Sequence, residues 1–178
     1  MSGVVKILPH YTYDDYVHWE GKWELIDGVP YAMSPAPVPK HQTLAGNIHT
    51  EFRMKLKNCK KCKVFQPIDY KVEEDTIFQP DMLIVFGEIS KKYLDFPPAL
   101  VVEILSPATE AKDRFTKFPV YQAKGIPYYI IIDPDLEEAE VYELIKEQYK
   151  MTARGKDIQH LFTIDDCKAD IDFKEIWD

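Results

Sequence analysis

The sequence has no apolar run of membrane-span length, and Met1 to His10 lacks the layout of a signal peptide. The apolar residues there are too few, and no small-residue cleavage site follows. A cytoplasmic protein without a membrane partner is the expectation. Cysteine is scarce. Three among 178 residues make an odd count and no disulfide framework. Cys59 and Cys62 form a lone Cys-x-x-Cys, Cys167 stands apart, and no second pair completes a four-ligand zinc site. Flanking lysines could lower a thiol pKa for redox chemistry, but reduced surface thiols are the expected state. There is no internal repeat, low-complexity tract or linker. One domain spanning residues 1–178 is therefore expected, long enough to enclose a real core.

The chain also lacks the positive charge of a typical nucleic-acid binder: its net charge is −8. Residues 1–132 hold sixteen basic and sixteen acidic side chains, whereas residues 133–178 hold six against fourteen. Within the balanced part, Arg53, Lys55, Lys57, Lys60, Lys61 and Lys63 form a strip without an acid. Such a strip suits phosphates, with the acidic tail facing away, or it is a solvated helix end where Lys complements the dipole.

Thr12, followed by Asp14 and Asp15, signals a short helix over Tyr11 to Trp19. Trp23 to Met33 reads as a hairpin around Asp27-Gly28. A proline-rich connection, Ser34 to Pro39, should stay extended. His41 to Leu56 reads as a helix, with Leu44, Ile48, Phe52 and Leu56 on one stripe. Val64 to Val72, Asp81 to Phe86, Ala99 to Leu105 and Tyr128 to Ile132 read as strands, and Glu140 to Met151 as a second hairpin. Pro119 interrupts Thr109 to Lys124, which predicts a turn or short helix through Asp113 and a new helix from about Lys117 to Gly125. The tail from Asp157 supplies Leu161, Phe162, Ile164, Ile171, Phe173, Ile176 and Trp177 to cover an exposed surface. This order gives an α/β fold, a mixed sheet flanked by helices with an N-terminal helix and hairpin.

Two of those strands carry carboxylates in apolar company. Asp81 follows Pro80 at a strand start, and Glu103 lies inside Ala99 to Leu105. A buried carboxylate needs a partner, a proton or a metal. If the strands are neighbours, both acids point into one cleft.

Pro80-Asp81, then Glu103-Ile104-Leu105, then Lys117 in the next helix, resembles the PD-(D/E)XK nuclease superfamily. Glu24-Leu25-Ile26-Asp27-Gly28, His41-Gln42, Ser106-Pro107, Asp113, Tyr121, Gly125, Tyr128-Tyr129 and Asp133-Pro134 extend the resemblance to the Uma-two family of restriction endonucleases. The resemblance implies a restriction-endonuclease-like fold and a metal-dependent endonuclease hydrolysing DNA. Asp81 and Glu103 would be the metal ligands, for Mg2+ or Mn2+, with Lys117 and Glu24 as further catalytic residues. His41 and Asp113 are candidates for outer contacts or a phosphate. Duplex cleavage implies a homodimer.

The position where the superfamily motif has its lysine is Leu105, which offers only a backbone carbonyl; Lys117 is the expected substitute. Other roles stay open here. Glu24 joins the metal cluster or assists a water, or else is an exposed strand acid. His41 is a phosphate or proton-transfer group, or a structural helix-start residue. Asp113 orders Lys117 or Arg114, Tyr121 packs in the core, and Gln42 is an outer candidate. Rival functions are a catalytically inactive nucleic-acid-binding or structural protein on the same fold, and a hydrolase of a smaller phosphate ester.

Overall fold

The strands bearing the two carboxylates set the frame of the molecule, a computed structural model that describes residues 9–33 and 37–177. The readings of the first eight residues, and of Ser34 to Ala36 in the proline-rich connection, lie outside these residues. Helix α1 (Tyr13–Tyr16) is closed by a Thr12–Asp15 capping box. Strands β1 (Trp23–Ile26) and β2 (Val29–Ala32) form the hairpin, with Asp27 and Gly28 both at positive φ as a tight two-residue turn requires. Helix α2 (Pro39–Lys55) starts on a proline in its first turn.

The expected single strand over Val64 to Val72 is instead two. Strands β3 (Cys62–Phe65) and β4 (Tyr70–Glu73) belong to different sheets. Pro67 lies between them; a residue with no N–H to donate ends the ladder, and the chain crosses to a second sheet. A short strand that the sequence did not announce, β5 (Thr76–Phe78), follows. Then come β6 (Met82–Phe86) and β7 (Leu100–Ile104), which are antiparallel neighbours. β7 pairs in parallel with β8 (Tyr128–Asp133), and β9 (Glu138–Ile145) and β10 (Gln148–Gly155) extend the sheet. The main sheet has the order β10-β9-β8-β7-β6-β3, and the smaller one β2-β1-β5-β4.

Strand periodicity divides the core into two faces. Met82, Ile84, Leu100, Val102 and Ile104 meet Leu44, Ile48, Phe52 and Leu56 of α2 on one face. Leu83, Val85, Val101 and Leu105 meet Tyr70 and Phe78 of the small sheet and Tyr121 on the other. The tail is more ordered than a covering segment. It forms a hairpin, β11 (Gln159–Ile164) and β12 (Cys167–Asp172), and a 3-10 turn over Phe173–Ile176. Phe162, Ile164, Ile171, Phe173 and Ile176 are buried against α2's face of the sheet, while Leu161 stays exposed.

The break expected at Pro119 is a change of helical pitch. Glu110–Lys112 (α3) runs into a π-helical turn, Asp113–Lys117, and on into α4 (Phe118–Ala123). The Phe118 amide donates to Asp113, five residues back. The wider turn accommodates a ring that would clash in α geometry.

The cysteines depart from the expected reduced surface thiols. Cys59 and Cys167 form a disulfide across a sequence separation of 108, and Cys62 is a buried free thiol. Closing a loop of that size restrains the unfolded chain by about 4–5 kcal/mol in chain-entropy terms.

Candidate active site

Met82 pairs with Val102, Leu83 with Val101 and Ile84 with Leu100. The same register, carried one residue further, sets Asp81 opposite Glu103. Cross-strand partners share a face, and this face is the one turned toward α4 and the small sheet. Asp81 Oδ2 accepts a 2.8 Å hydrogen bond from the Ile104 amide, which fixes the carboxylate at the edge of β7. Its side chain retains 18% exposure, against 4% for Glu103.

The helical segment delivers a cation to this place. Lys117 is 2% exposed, and its ammonium lies 2.8 Å from Glu103 Oε1, 2.8 Å from Glu24 Oε1 and 3.2 Å from Asp113 Oδ1. Four residues apart, Asp113 and Lys117 share one side of the helical segment, and that side is buried. The Tyr129 hydroxyl fastens the π turn by donating to the Asp113 carbonyl. Arg114, one residue on, turns outward to Glu140 and Glu110, so Asp113 orders Lys117 and not Arg114. Tyr121 does more than pack: its hydroxyl donates to Glu103 Oε1 at 2.8 Å. Both of these bonds fall on the same oxygen of Glu103. Leu105 lies on Glu103's face, packed in the second core cluster.

Glu24 is fully buried, which rules out the exposed strand acid. It accepts the Gln79 amide at 2.9 Å and an ion pair from Lys112. Gln79 thereby ties the small sheet to Pro80-Asp81, the entry to the main sheet. Gln79, Lys112 and Tyr129 were not named as site residues from the sequence. Lys112 precedes Lys117 by five residues, a spacing that shares a face only when the turn between them is π.

Charge is unevenly supplied. Burial pushes the Glu24 carboxyl up, but Lys117 and Lys112 outweigh it and leave its pKa below the ordinary value. Burial also pushes Glu103 up; Lys117 opposes, while Asp113, Asp81 and Glu24 push the same way, and its pKa stands well above the carboxylate range. Burial would deprotonate Lys117, yet the surrounding carboxylates hold its pKa well above normal. Glu24, Asp81, Glu103 and Asp113 gather four carboxyl groups around two ammonium groups. An all-oxygen donor set suits a hard divalent cation, whose charge would favour the ionised form of the Glu103 carboxyl that burial disfavours. Asp81 and Glu103 are the pair that could hold it.

His41, in the first turn of α2, closes the Asp81 side. Its Nε2 lies 3.1 Å from the Ile104 carbonyl and 3.3 Å from Asp81 Oδ2, so the proton on Nε2 is fixed by the carbonyl it meets. Nδ1 is buried and has no hydrogen-bond partner among the described residues. Burial lowers the imidazole pKa, but the Asp81 contacts reverse this and raise it. Gln42 is exposed and takes no part in these contacts.

The basic strip does not border this cleft. Cys62 pairs with Phe86 at the end of β6 remote from Asp81, roughly 16 Å along the strand. Nor does the acidic tail face away from the strip, since the disulfide fastens Cys167 beside Cys59.

The Uma2 family profile, described as "Putative restriction endonuclease", matches residues 13–162. The chain belongs to the Uma2 family. That match spans Glu24, His41, Asp81, Glu103, Asp113, Lys117 and Tyr121 and stops short of Cys167. A relative in Synechocystis sp., the uncharacterized protein slr1290, is 28% identical over 145 residues, which is 76% of this chain and 75% of that protein. The fold resembles the crystal structure of a putative nuclease belonging to DUF820 from Anabaena variabilis, with a TM-score of 0.73 and 18% identity over 94% of this chain and 97% of that one. Among the described residues, no helix is long and apolar enough to cross a membrane.

Proposed function

We propose that this Uma2 chain is a metal-dependent nuclease that hydrolyses DNA phosphodiester bonds at the Asp81–Glu103 cleft. The observation that carries the reading is the approach of Asp81, at the entry to β6, to the β7 strand that holds Glu103, with a buried lysine on Glu103. Acid, acid and cation converge here although the cation comes from a helix and not from the strand position Leu105. A divalent cation such as Mg2+ or Mn2+, when bound by Asp81 and Glu103, would polarise the phosphate and acidify a water.

The chain's own groups do the rest. Lys117 is held protonated by three carboxylates, so it is a fixed positive charge beside the cleft where negative charge develops in the transition state. Tyr121 and Lys117 both bond Glu103 Oε1, which holds the carboxyl in place and leaves Oε2 to neither of them. Glu24, pinned by Lys112 and Gln79, keeps Lys117 from rotating away. His41 carries its proton next to Asp81, where a leaving oxygen could take one.

A plasmid-nicking assay with Mg2+ or Mn2+ tests the reading. Nicking that depends on metal and vanishes in Asp81→Ala supports it. DNA binding without nicking at any metal concentration points to an inactive nucleic-acid-binding protein. Turnover of a small phosphodiester without nicking points to a smaller ester. Either outcome rejects the proposal.

A further inference from the structure

The thiols lie at the opposite end of β6 from the cleft and play no part in the chemistry above. Cys59 lies in the loop after α2, Cys62 opens β3, and Cys167 opens β12. Their sulfurs all lie within 4.8 Å of one another. Tetrahedral zinc thiolates have Zn–S bonds near ~2.3 Å, which puts the sulfurs of one ion roughly 3.8 Å apart. The triangle is therefore near the size an ion needs, and small side-chain rotations close it once the disulfide is open. Two of the thiols supply the tight Cys-x-x-Cys turn; the third arrives from a distant hairpin.

Ammonium groups outnumber carboxylates beside the sulfurs. Lys55, Lys60, Lys61 and Lys168, with Asp166, line a cavity of about 410 Å3 with Cys59 and Cys167, open to solvent and so to an entering ion. Burial, Asp166 and Asp165 push the Cys62 thiol up, so its proton leaves only as an ion binds. Three thiolates on a divalent ion carry one net negative charge, which those ammonium groups offset. Cys62 is 8% exposed, and nothing in its apolar packing requires a thiol. A third sulfur held against a disulfide has a role if the three act together.

We propose that the reduced chain binds one thiophilic divalent cation of the Zn2+ class through Cys59, Cys62 and Cys167. A dithiol gives two electrons and two protons to the Cys59–Cys167 disulfide and is itself oxidised to a cyclic disulfide. Ion uptake then releases three thiol protons to solvent, and water fills the fourth position. The ion replaces the disulfide as the link between the α2–β3 connection and the β11–β12 hairpin. Disulfide and ion are mutually exclusive forms of one cross-link, completed by Cys167, which lies beyond the residues matched by the family profile. The site is independent of the nuclease reading.

The test uses the full chain, reduced, stripped by a chelator and kept anaerobic. Co2+ is titrated while the sulfur-to-cobalt charge-transfer absorption is followed, a band that carboxylate ligation at Asp81 and Glu103 does not give. The expected result is one thiolate-bound Co2+ per chain, displaced by Zn2+, with a higher melting temperature for the Zn2+-loaded reduced protein. Cys62→Ser retains the disulfide pair and should fold; its Co2+ affinity should fall at least tenfold, as should that of Cys167→Ser. Absence of the band in the reduced wild type, or an equally strong band in Cys62→Ser, overturns the proposal and leaves a disulfide only.

Discussion

Lys117 Nζ lies 2.8 Å from Glu103 Oε1, across fourteen residues and from a helix to the strand it packs on. The same ammonium also pairs with Glu24 and Asp113. Lys117→Ala strands those carboxylates in the interior and should cost about 3–5 kcal/mol of stability. Urea unfolding measures it through the midpoint. The double change Leu105→Lys with Lys117→Ala restores a cation on Glu103's face and should recover part of both stability and nicking. A midpoint for Lys117→Ala equal to that of wild type would mean that the three acids are protonated and the ion pairs absent.

Glu103→Gln keeps an oxygen for Lys117 and Tyr121 at a position where burial and the neighbouring acids already favour the uncharged carboxyl. The folded state without metal should be as stable as wild type, within about 0.5 kcal/mol. Calorimetry should find Mg2+ or Mn2+ binding lost in this variant and in Asp81→Ala. Undiminished binding in both would place the ion elsewhere.

The link that fastens the π turn to the main sheet titrates in acid. Arg114 meets Glu140 through both terminal nitrogens, at 2.9 and 3.2 Å, and Tyr142 adds a 2.7 Å hydrogen bond. Burial pushes the Glu140 carboxyl up, but these partners outweigh it and lower its pKa. A lowered carboxyl pKa stabilises the fold above the unfolded value, near ~4.3, and this contribution is lost as pH falls through the folded pKa. Glu140→Gln should therefore cost about 1–2 kcal/mol at neutral pH and nothing at pH values below the folded pKa. Thermal melts of both proteins across the acid range should converge.

Neutralising Lys60, Lys61 and Lys63 to Gln should leave the nicking rate on saturating DNA within about twofold of wild type, given their distance from Asp81. The salt dependence of DNA affinity should also keep its slope. A shallower slope would put the strip back on the phosphate path.

The parts of the site that were readable were those set by strand period. Val, Ile and Leu runs around Asp81 and Glu103 read as two strands expected to be neighbours; their register appears only in the structure. The contact of Lys117 with Glu103 was readable as an expectation from the motif order, but Pro119 left the direction of Lys117 open, because it conceals the π turn that carries the helix through the proline. Glu24 was ambiguous because β1 is four residues long, and its burial is decided by β5, itself too short to leave a periodic signal. Pro67 was the visible mark that Val64 to Val72 is two strands, outweighed by the apolar residues on either side. Cys167 could not be paired from spacing, because the hairpin that carries it is positioned by packing on α2.

A turn with one residue more than an α-helix needs has a consequence for length variation. Each residue of an α-helix rotates the next side chain by about 100°. Deleting one residue between Asp113 and Lys117 would return the segment to α pitch with nearly the same net rotation, because a π turn is an α turn with one residue inserted. Lys117 would keep its face toward Glu103, whereas a second deletion would swing it by about 100° and take it away. Two chains with identical acidic and basic residues, differing by one residue there, would therefore keep the same cation on the same partner.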